Sequence, residues 1–495
     1  MSLPKLPVIS GAIEALKEMP IETRLFINGE FVPSRSGKTF DVYNPATEQK
    51  TASVFEADVE DVNDAVAAAK AAFPAWSDLA ATERGAFLFK LADSMEKHFA
   101  EMSYLDAISM GKPVDSDVAT AVAMSQLRYY AGKASDILGD SSLNTPGMLN
   151  IVLRQPFGVC GAITPWNAPI TMVVQKLGPA LIAGNTLVLK SSEKAPLSPL
   201  VLAKCCQEIG LPKGVLNILN GFGRPCGEAI ARHMDIRKVS FTGSTSTGRA
   251  IKKAAAESNL KKVTLELGGK SPLIIFEDAD LQKAVPAAAF SILVNSGQAC
   301  VASSRVFVHT AIADKFIDAL KIEMDRVGTA GDPLGRGIQR GPQADKLQFD
   351  RVMGFLEEAR TAGLEFVTGG GRVGDRGYFV QPTIIKNAPA DSRVMKEEIF
   401  GPVMCINSFD DEEAVLGIAN DTSYGLYASV YTKDISRALR IAKRFEAGNV
   451  GINCTSPTMT ADMPFGGWKE SGEGKEGSKY ATDYWTELKS VYVAL

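Results

Sequence analysis

The chain has 495 residues, of which 45% are hydrophobic and 22% are charged, and its formal net charge is −4. A chain of this length exceeds the size at which a single core stops growing, so we expect at least two globular domains. The balanced charge and the lack of a basic run predict no nucleic-acid partner, and the longest apolar segments, such as residues 177–189, are interrupted by Gly, Pro and Asn and predict no membrane span.

The N-terminal residues, the cysteines and the histidines indicate the cellular location and whether a metal site is expected. Residues 1–10 contain two prolines, one lysine and no long apolar core, so neither a secretory signal nor a transit peptide is expected. The seven cysteines are odd in number and form no C-x-x-C pair, which favours reduced thiols and a cytoplasmic location. The three histidines, His98, His233 and His309, show no ligand spacing, so the sequence predicts no metal site.

Short strands and then helices are predicted for the first third of the chain. Residues 22–57 resemble strands and turns, and Asn28-Gly29 is typical of a hairpin turn. After Asp58 the apolar residues recur with helical spacing, which predicts one face carrying Val62, Ala65, Val66, Ala69 and Phe73. Further helices are expected to about residue 138, and residues 139–157 resemble an exposed hairpin arm.

From residue 158 to 267 strands alternate with helices, which predicts βαβ units and a parallel sheet. The candidate strands are Val159–Thr164, Thr186–Lys190, Val215–Leu219, Lys238–Phe241 and Val263–Leu267. Ser198 is the predicted N-cap of the helix between the second and third strands, and Gly210 marks the end of that helix. A second α/β stretch is expected over residues 271–445, and the tail from residue 484 alternates like a strand.

Cys300 lies in a loop of small residues between an apolar helical run and a predicted strand, residues 305–309. Gly297 lets a backbone approach a bound substrate, and a cysteine near a helix end forms its thiolate more easily. The alternative is a buried structural cysteine, the common state of free cysteines. Because no histidine is near in sequence, a carboxylate or a backbone dipole is the expected assistant of a nucleophilic Cys300.

Two stretches beside predicted strands could bind a dinucleotide. Residues 241–248 (FTGSTSTG) follow a strand and open a helix, so their N–H groups could hold a diphosphate; a capped surface helix is the alternative. The Gly-x-Gly-x-x-Gly fingerprint is absent, and Gly221-Phe-Gly223 is only a fragment of it. Lys190 and Glu193 at a strand end could bracket a ribose, although such a pair is often a solvated loop.

Glu266 and Asn167 are candidates for acid–base and oxyanion chemistry. Glu266 is flanked by leucines, so burial should raise its pKa and make it a candidate base. An outward-facing strand residue is the alternative for Glu266. Asn167 lies between Pro165 and Pro169 at a strand end, where its amide could donate to a developing oxyanion or form an Asx turn.

Seven motifs, in order, make the whole chain resemble the aldehyde dehydrogenase superfamily. They are Pro165-Trp-Asn167, Leu189-Lys-Ser-Ser-Glu193, Phe241-Thr-Gly-Ser-Thr245, Glu266-Leu-Gly-Gly-Lys270, Gly297-Gln-Ala-Cys300, Glu398-Ile-Phe-Gly-Pro402 and Pro464-Phe-Gly-Gly467. The resemblance implies the α/β aldehyde dehydrogenase fold and a homodimer or homotetramer. It implies a Rossmann-like cofactor domain (residues 1–136 and 157–268), an α/β catalytic domain (269–475) and a β oligomerisation arm (137–156 and 476–495).

The resemblance also implies Cys300 as nucleophile, Glu266 as general base and Asn167 as oxyanion donor. The reaction would oxidise an aldehyde to a carboxylic acid through a thiohemiacetal and a thioester. The implied cofactor-binding residues are Thr164, Pro165, Trp166, Lys190, Glu193, Gly223, Phe241, Gly243, Ser244, Gly248, Leu267, Glu398 and Phe400. Because the Glu193 carboxylate would repel a 2′-phosphate, NAD is expected over NADP. Ser191, where the family commonly has proline, should only loosen a turn.

The substrate tunnel implied by the resemblance is lined by Ala168, Thr171, Met172, Gln175 and Val294. These residues are small or polar where acetaldehyde- and retinal-type members carry aromatic groups, so a wide, partly hydrophilic tunnel is expected. Several motifs are similar to the salicylaldehyde and vanillin dehydrogenase branch, which favours an aromatic aldehyde such as salicylaldehyde, vanillin or benzaldehyde. The run Gln298-Ala-Cys-Val301 departs from that branch's Gln-Ile-Cys-Met.

Other functions stay open at this point. An aliphatic aldehyde or a semialdehyde is an alternative substrate, and Arg305 is the one residue to check as a carboxylate anchor. A thiol-dependent esterase and a non-catalytic structural protein are alternatives from other classes. The presence of both Cys300 and Glu266, together with the cofactor motifs, argues against these two.

Overall fold

The computed structural model of the protein describes residue 9 and residues 12–495. Residues 1–10, for which the sequence predicts no signal peptide, lie almost wholly outside this part. The strands are β1 (Leu25–Ile27), β2 (Glu30–Val32), β3 (Thr39–Asn44), β4 (Gln49–Phe55), β5 (Asp140–Ser142), β6 (Met148–Pro156), β7 (Val159–Ile163), β8 (Thr186–Lys190), β9 (Leu216–Leu219), β10 (Lys238–Thr242), β11 (Lys262–Glu266), β12 (Pro272–Ile275), β13 (Arg305–His309), β14 (Glu365–Thr368), β15 (Thr383–Lys386), β16 (Val403–Phe409), β17 (Tyr427–Tyr431), β18 (Asn449–Ile452), β19 (Gly472–Glu473) and β20 (Thr486–Ala494).

The α-helices are α1 (Ile13–Lys17), α2 (Val59–Asp78), α3 (Ala81–Lys97), α4 (Phe99–Met110), α5 (Val118–Gly132), α6 (Pro169–Ile182), α7 (Leu197–Glu208), α8 (Glu228–Arg232), α9 (Thr245–Ala256), α10 (Leu281–Leu293), α11 (Ala313–Val327), α12 (Lys346–Thr361), α13 (Arg393–Lys396), α14 (Glu412–Asn420) and α15 (Ile435–Arg444). Within residue 9 and residues 12–495, no helix is both long and apolar enough to cross a bilayer.

The first sheet has eight strands in the order β19-β11-β10-β7-β8-β9-β1-β2. Its five central strands, from β11 to β9, run parallel, which confirms the predicted βαβ organisation. Neighbouring residues of β8 enter different cores: Leu187 and Leu189 pack in one apolar cluster, and Val188 packs in another. Helices therefore cover both faces of the sheet, which explains why its central strands are continuous apolar runs.

Local predictions in the first part of the chain are confirmed, with one exception. Asn28 and Gly29 have φ values of 53° and 78° between β1 and β2, as a tight hairpin turn requires. Asp58 caps α2 by accepting from the Glu60 N–H at 3.0 Å. The prediction of Ser198 as an N-cap is wrong, because Pro196 already has helical angles and α7 starts before Ser198.

The second sheet has seven strands in the order β14-β15-β16-β13-β12-β17-β18, and only β14 pairs antiparallel with its neighbour. Leu273 and Ile275 of β12 pack with α10 and α11, while Ile274 packs with α12, α14 and α15. This confirms the predicted second α/β stretch. The segment that carries Cys300 connects α10 with β13, which is the central strand of this sheet.

The C-terminal residues return to two other parts of the fold. Strand β20 pairs with β6 along nine residues, and β5 completes a small antiparallel sheet, as predicted for the arm. Strand β19 pairs antiparallel with β11, and Gly472 lies opposite Glu266. Residues 472–473 thus extend the first sheet, although the predicted catalytic range of 269–475 includes them. This return covers the end of β11, where the candidate base lies.

The end of α4 depends on Gly111, which has φ +86° and donates its N–H to the carbonyls of Asp106 and Ala107. An added Cβ would lie 2.6 Å from Pro342 Cγ, and its backbone conformation would be strained. We expect Gly111→Ala to lower the free energy of unfolding by about 1–3 kcal/mol in a denaturant titration.

Gly354 is the matched control, because it lies inside α12 and an added Cβ there meets no atom within 4 Å. Gly354→Ala should leave the free energy of unfolding unchanged or raise it by up to about 1 kcal/mol. An equal loss at both glycines would contradict the role assigned to Gly111.

Candidate active site

The loop that ends at Cys300 has an uncommon backbone. Three successive residues, Asn295, Ser296 and Gly297, have φ values of 50°, 56° and 74°. A Cβ on Gly297 would collide with the backbone of Gly401, so only glycine fits at this close approach. Left-handed residues of this kind cost free energy, and they persist where the surroundings hold them.

Hydrogen bonds from side chains hold this strained loop in place. Gln298 Nε2 donates to the Asn295 carbonyl at 2.9 Å, and Gln298 Oε1 accepts from the Ala344 N–H at 2.8 Å. Ser296 Oγ donates to the Gly341 carbonyl at 2.5 Å, and Gln343 Nε2 donates to the Ser296 carbonyl at 3.1 Å. The segment at residues 341–344 thereby fixes the loop from outside.

Cys300 is half-buried and stands among Val301, Leu426 and Phe465. Burial raises the pKa of its thiol, and the negative charges of Glu398 and Glu266 raise it further. Backbone N–H groups of Cys300 and Val301 act in the opposite direction. Cys300 lies beyond the end of α10, and the two nearby acids oppose the thiolate that the sequence-based expectation favours.

Asn167 is bound to the Cys300 loop through both its backbone and its side chain. Its Nδ2 donates to the Gln298 carbonyl at 3.0 Å, and its carbonyl accepts from Asn295 Nδ2 at 2.9 Å. Each amide nitrogen has two hydrogens, so one hydrogen of Asn167 Nδ2 is left over for a further acceptor. The structure thus brings the predicted oxyanion donor to the loop of the predicted nucleophile.

Glu266 ends β11 and is buried, and neither of its carboxylate oxygens has a hydrogen-bond partner among the described residues. Burial raises its pKa well above the ordinary value, and the charge of Glu476 adds to this effect. Lys176 and Lys475 lower the pKa of Glu266. The predicted base is therefore inside the protein, which excludes the outward-facing alternative.

A buried ion pair lies next to Glu266. Lys176 Nζ contacts Glu476 Oε1 at 2.5 Å and donates to Thr242 Oγ1 at 2.6 Å. Sequence reasoning missed this pair because its members are 300 positions apart and stand in different parts of the chain. Asn295 and Gln298 were also missed, although their position beside Cys300 in a small-residue loop could have indicated them.

The strand ends of the first sheet carry the predicted ribose-binding residues. The Thr164 N–H donates to the Lys190 carbonyl at 3.0 Å, which joins the ends of β7 and β8. The buried Lys190 Nζ lies 3.8 Å from a Glu193 carboxylate oxygen, and burial lowers the pKa of this lysine. Ser191 donates its N–H to the Leu219 carbonyl at 3.0 Å, a bond that a proline could not make.

The predicted diphosphate site is the N-terminus of α9, a helix of 12 residues. Ser244 is its N-cap, is exposed, and accepts from the Thr247 N–H at 3.3 Å. A Cβ on Gly248 would lie 2.7 Å from Leu267 Cδ2, so this glycine lets α9 pack closely on the end of β11. A Cβ on Gly243 would likewise collide with the Phe241 ring, so this glycine lets the ring pack closely on the backbone.

The remaining predicted cofactor residues lie in two places. Glu398 Oε1 accepts from the Gly269 N–H at 2.9 Å, and burial raises the pKa of Glu398 to about 7. The rings of Phe400 and Trp166 meet edge to face at 5.3 Å, directly after Pro165. Gly223 begins a short helical turn, residues 223–227, and the last residue of this turn, Gly227, lies beside the aliphatic part of Lys190.

The predicted tunnel residues differ in their exposure. Ala168, Met172 and Val294 are half-buried, whereas Thr171 and Gln175 are buried. Thr171 Oγ1 donates to the Ala119 carbonyl at 2.7 Å, so this hydroxyl is already engaged with the start of α5. Arg305 is fully buried and donates to the carbonyls of Lys270, Ile418 and Ala419, so it is not an anchor for a substrate carboxylate.

The two sheets and this site define an α/β enzyme, and comparisons with known proteins identify its family. The sequence model of the aldehyde dehydrogenase family matches residues 31–491. An aldehyde dehydrogenase of Emericella nidulans is 46% identical over 473 residues, which cover 95% of each chain.

Solved structures give the same result. The NAD⁺ complex of an aldehyde dehydrogenase from Bacillus cereus superimposes with a TM-score of 0.94 at 43% identity and covers 98% of both chains. The indole-3-acetaldehyde dehydrogenase of P. syringae has a TM-score of 0.96 at 38% identity and covers 99% of this chain and 100% of its own. The chain belongs to the aldehyde dehydrogenase family and has its fold.

The raised pKa of Cys300 predicts how this thiol reacts with iodoacetamide. Only the thiolate reacts, so the rate should increase about tenfold per pH unit between about pH 7 and 9. Glu398→Gln removes a charge that opposes the thiolate, so alkylation at about pH 8.5, where Glu398 is ionised, should be several-fold faster. Mass spectrometry of the Cys300 peptide measures both rates.

The control for this experiment is Glu397→Gln, which changes the neighbouring acid that pairs with Arg393 at the surface. Its alkylation rate should match that of the unchanged protein. A rate that is independent of pH over this range would show that the thiol pKa is not raised.

Proposed function

We propose that the protein oxidises an aldehyde to a carboxylic acid with NAD, using Cys300 as nucleophile, Asn167 as oxyanion donor and Glu266 as base. The observation that carries this proposal is the pair of hydrogen bonds between Asn167 and the Cys300 loop. These bonds hold a neutral donor that follows a strand of the first sheet against the loop that carries the thiol. The convergence of a thiol, a donor and a buried acid is the arrangement that acyl chemistry on a cysteine requires.

The first step uses Cys300 and Asn167. The Cys300 thiol first loses its proton to solvent, and the thiolate then attacks the carbonyl carbon, which forms a C–S bond and moves an electron pair onto oxygen. The Cys300 N–H and the remaining hydrogen of Asn167 Nδ2 stabilise this oxyanion. Lys190, Glu193 and the N-terminus of α9 would hold NAD, which would supply the acceptor for the hydride that leaves the tetrahedral carbon. Cys300 then carries a thioester.

The second step uses Glu266. Its carboxylate takes a proton from a water molecule, whose oxygen attacks the thioester carbon and releases the acid and the Cys300 thiolate. Burial raises the pKa of Glu266, so its ionised carboxylate is a stronger base than an exposed carboxylate. The positive charges of Lys176 and Lys475 favour its ionised form and support its action as a base.

The donor set around α9 fits a dinucleotide. The exposed N-terminus of α9 supplies N–H groups for a diphosphate, and the tight packing of Gly248 on Leu267 holds this helix end near the strand ends. Lys190, Glu193 and Glu398 supply charged groups for ribose hydroxyls. NAD is preferred over NADP, since the Glu193 carboxylate would repel a 2′-phosphate.

The proposed substrate is an aromatic aldehyde of the salicylaldehyde, vanillin or benzaldehyde type. Small or flexible half-buried residues, Ala168, Met172 and Val294, support a tunnel wide enough for a planar ring. The bonds of Arg305 to three backbone carbonyls argue against a semialdehyde anchored by this residue. The similarity to an indole-3-acetaldehyde dehydrogenase supports an aldehyde that carries an aromatic ring.

The arm supports a homodimer or homotetramer. Strand β20 forms one edge of its small sheet and exposes Leu488 and Tyr492, whose exposed fractions are 66% and 71%. Unpaired edges with apolar side chains favour pairing with a second copy.

All seven cysteines are free, which supports a reducing compartment such as the cytoplasm.

NADH formation from NAD tests the reaction and the substrate class together. The panel is benzaldehyde, salicylaldehyde and vanillin against acetaldehyde, a long aliphatic aldehyde and succinic semialdehyde. We expect the highest kcat/KM for the aromatic aldehydes, and Cys300→Ala should lower the rate by at least about 10³-fold. Cys454→Ala is the control, because Cys454 is also a free, half-buried thiol and is outside the proposed machinery.

The outcomes of this panel are distinct. A preference for aliphatic aldehydes would keep the mechanism and exclude the aromatic substrate. A rate that does not depend on Cys300 for any aldehyde would exclude the proposed reaction.

Cofactor choice should depend on Glu193. Glu193→Gln keeps the shape of the side chain and removes its charge, so the ratio of kcat/KM for NADP to that for NAD should increase by about tenfold or more. Glu257→Gln is the control, since Glu257 pairs with Arg232 at the surface. A ratio that is equal in the unchanged protein and in Glu193→Gln would contradict the role of this carboxylate.

A further inference from the structure

Three side chains of metal-binding types meet outside the candidate active site. His98 lies between α3 and α4, and Cys205 and Glu208 lie three residues apart in the last turn of α7. Their ligand atoms all lie within 4.8 Å of one another. Over residue 9 and residues 12–495, this is the one such group of three histidine, cysteine or acidic side chains.

The histidine is oriented by two carboxylates. Its Nδ1 is 2.9 Å from Glu101 Oε2, and its Nε2 is 2.9 Å from Glu208 Oε1. A carboxylate on the far nitrogen of an imidazole is the usual arrangement behind a metal-binding histidine, because it fixes the ring and makes the other nitrogen a better ligand. Glu101 is therefore placed to support His98, and Nε2 points towards Glu208.

Cys205 and Glu208 complete the group with a sulfur and an oxygen. Cys205 is fully buried, and burial raises the pKa of its thiol to about 11. Burial opposes the ionisation of Glu208, but hydrogen bonds from Ser94 and His98 lower its pKa. The Ser94 hydroxyl donates to Glu208 Oε2 at 2.7 Å, so the carboxylate is held in place on both sides.

We propose that His98, Cys205 and Glu208 bind a divalent transition-metal ion through one nitrogen, one sulfur and one oxygen. Zn²⁺ suits this set, because it takes imidazole, thiolate and carboxylate ligands in tetrahedral geometry with bonds of about 2.0–2.3 Å. Such bonds place ligand atoms about 3.5 Å apart, and the present separations, all within 4.8 Å, are close to this spacing. The Cys205 proton would pass to solvent on binding.

Access to the site is from the side of Glu208. This side chain is 41% exposed, whereas the His98 side chain is 18% exposed and Cys205 is buried. Water can therefore occupy the fourth position while the sulfur stays inside the protein. Because α7 supplies two ligands and the α3–α4 junction supplies the third, the ion would join these elements and should stabilise the helical layer beside the first sheet.

Cobalt titration tests this proposal on the full chain. The protein carries Cys300→Ala, so that the candidate nucleophile cannot bind metal, and is first treated with a chelator. Co²⁺ should bind with one equivalent and produce the near-ultraviolet absorption of a cobalt–thiolate bond, and Zn²⁺ should remove that absorption. Zn²⁺ should also raise the temperature of thermal unfolding.

Variants assign the ligands. Adding Cys205→Ser should abolish the cobalt–thiolate absorption, whereas Cys206→Ser, at the neighbouring buried cysteine, should retain it. Glu101→Gln leaves the three ligands intact and should weaken Zn²⁺ binding by about 10–100-fold in a variant that unfolds at the same temperature without metal. Thermal unfolding without metal shows whether each variant is folded.

Two results would overturn the proposal: no cobalt–thiolate absorption in the Cys300→Ala protein, or the same absorption after Cys205→Ser. The site uses no residue of the proposed aldehyde oxidation, so either reaction or metal binding could fail without affecting the other.

Discussion

The hydrogen bonds between Asn167 and the Cys300 loop are the constraint on which the candidate active site depends. Asn167 follows β7 of the first sheet, and Cys300 precedes β13 of the second, so Asn167 reaches the Cys300 loop only if both sheets fold and dock correctly. The left-handed backbone conformations of Asn295 and Ser296 cost free energy, and they persist because this docking holds them. Tertiary packing therefore creates the site, and part of the free energy of packing is used to hold the strained loop.

Charge burial is the second feature that shapes the site. Cys300, Glu266 and Glu398 are all shifted towards their neutral forms, because each lies in a poorly solvated environment and the acids oppose the thiolate. A neutral thiol is less reactive towards solutes than a thiolate. The Lys176–Glu476 pair keeps ionised groups close to Glu266.

Much of the fold was predictable, because hydrophobic periodicity and turn residues act locally. The Asn28-Gly29 hairpin, the apolar face of α2 and the parallel strands from β7 to β11 all follow from such patterns. The prediction of Ser198 as N-cap is wrong because α7 begins at Leu197, directly after Pro196 and before the position that the capping pattern suggests. The pairing of β19 with β11 had no local signal, since two residues are too few to form a recognisable strand pattern.

The sequence by itself determined the fold class, the family and the identity of the candidate residues Cys300, Glu266 and Asn167, because short motifs carry these in their residue types and order. Only the tertiary structure decided the environments of these residues. It buries Glu266, raises the pKa of the Cys300 thiol, and directs the hydrogen bonds of Arg305 to backbone carbonyls. It also places His98 beside Cys205. The physical reason is that desolvation and Coulomb interactions depend on distances in space, and residues more than a hundred positions apart set those distances here.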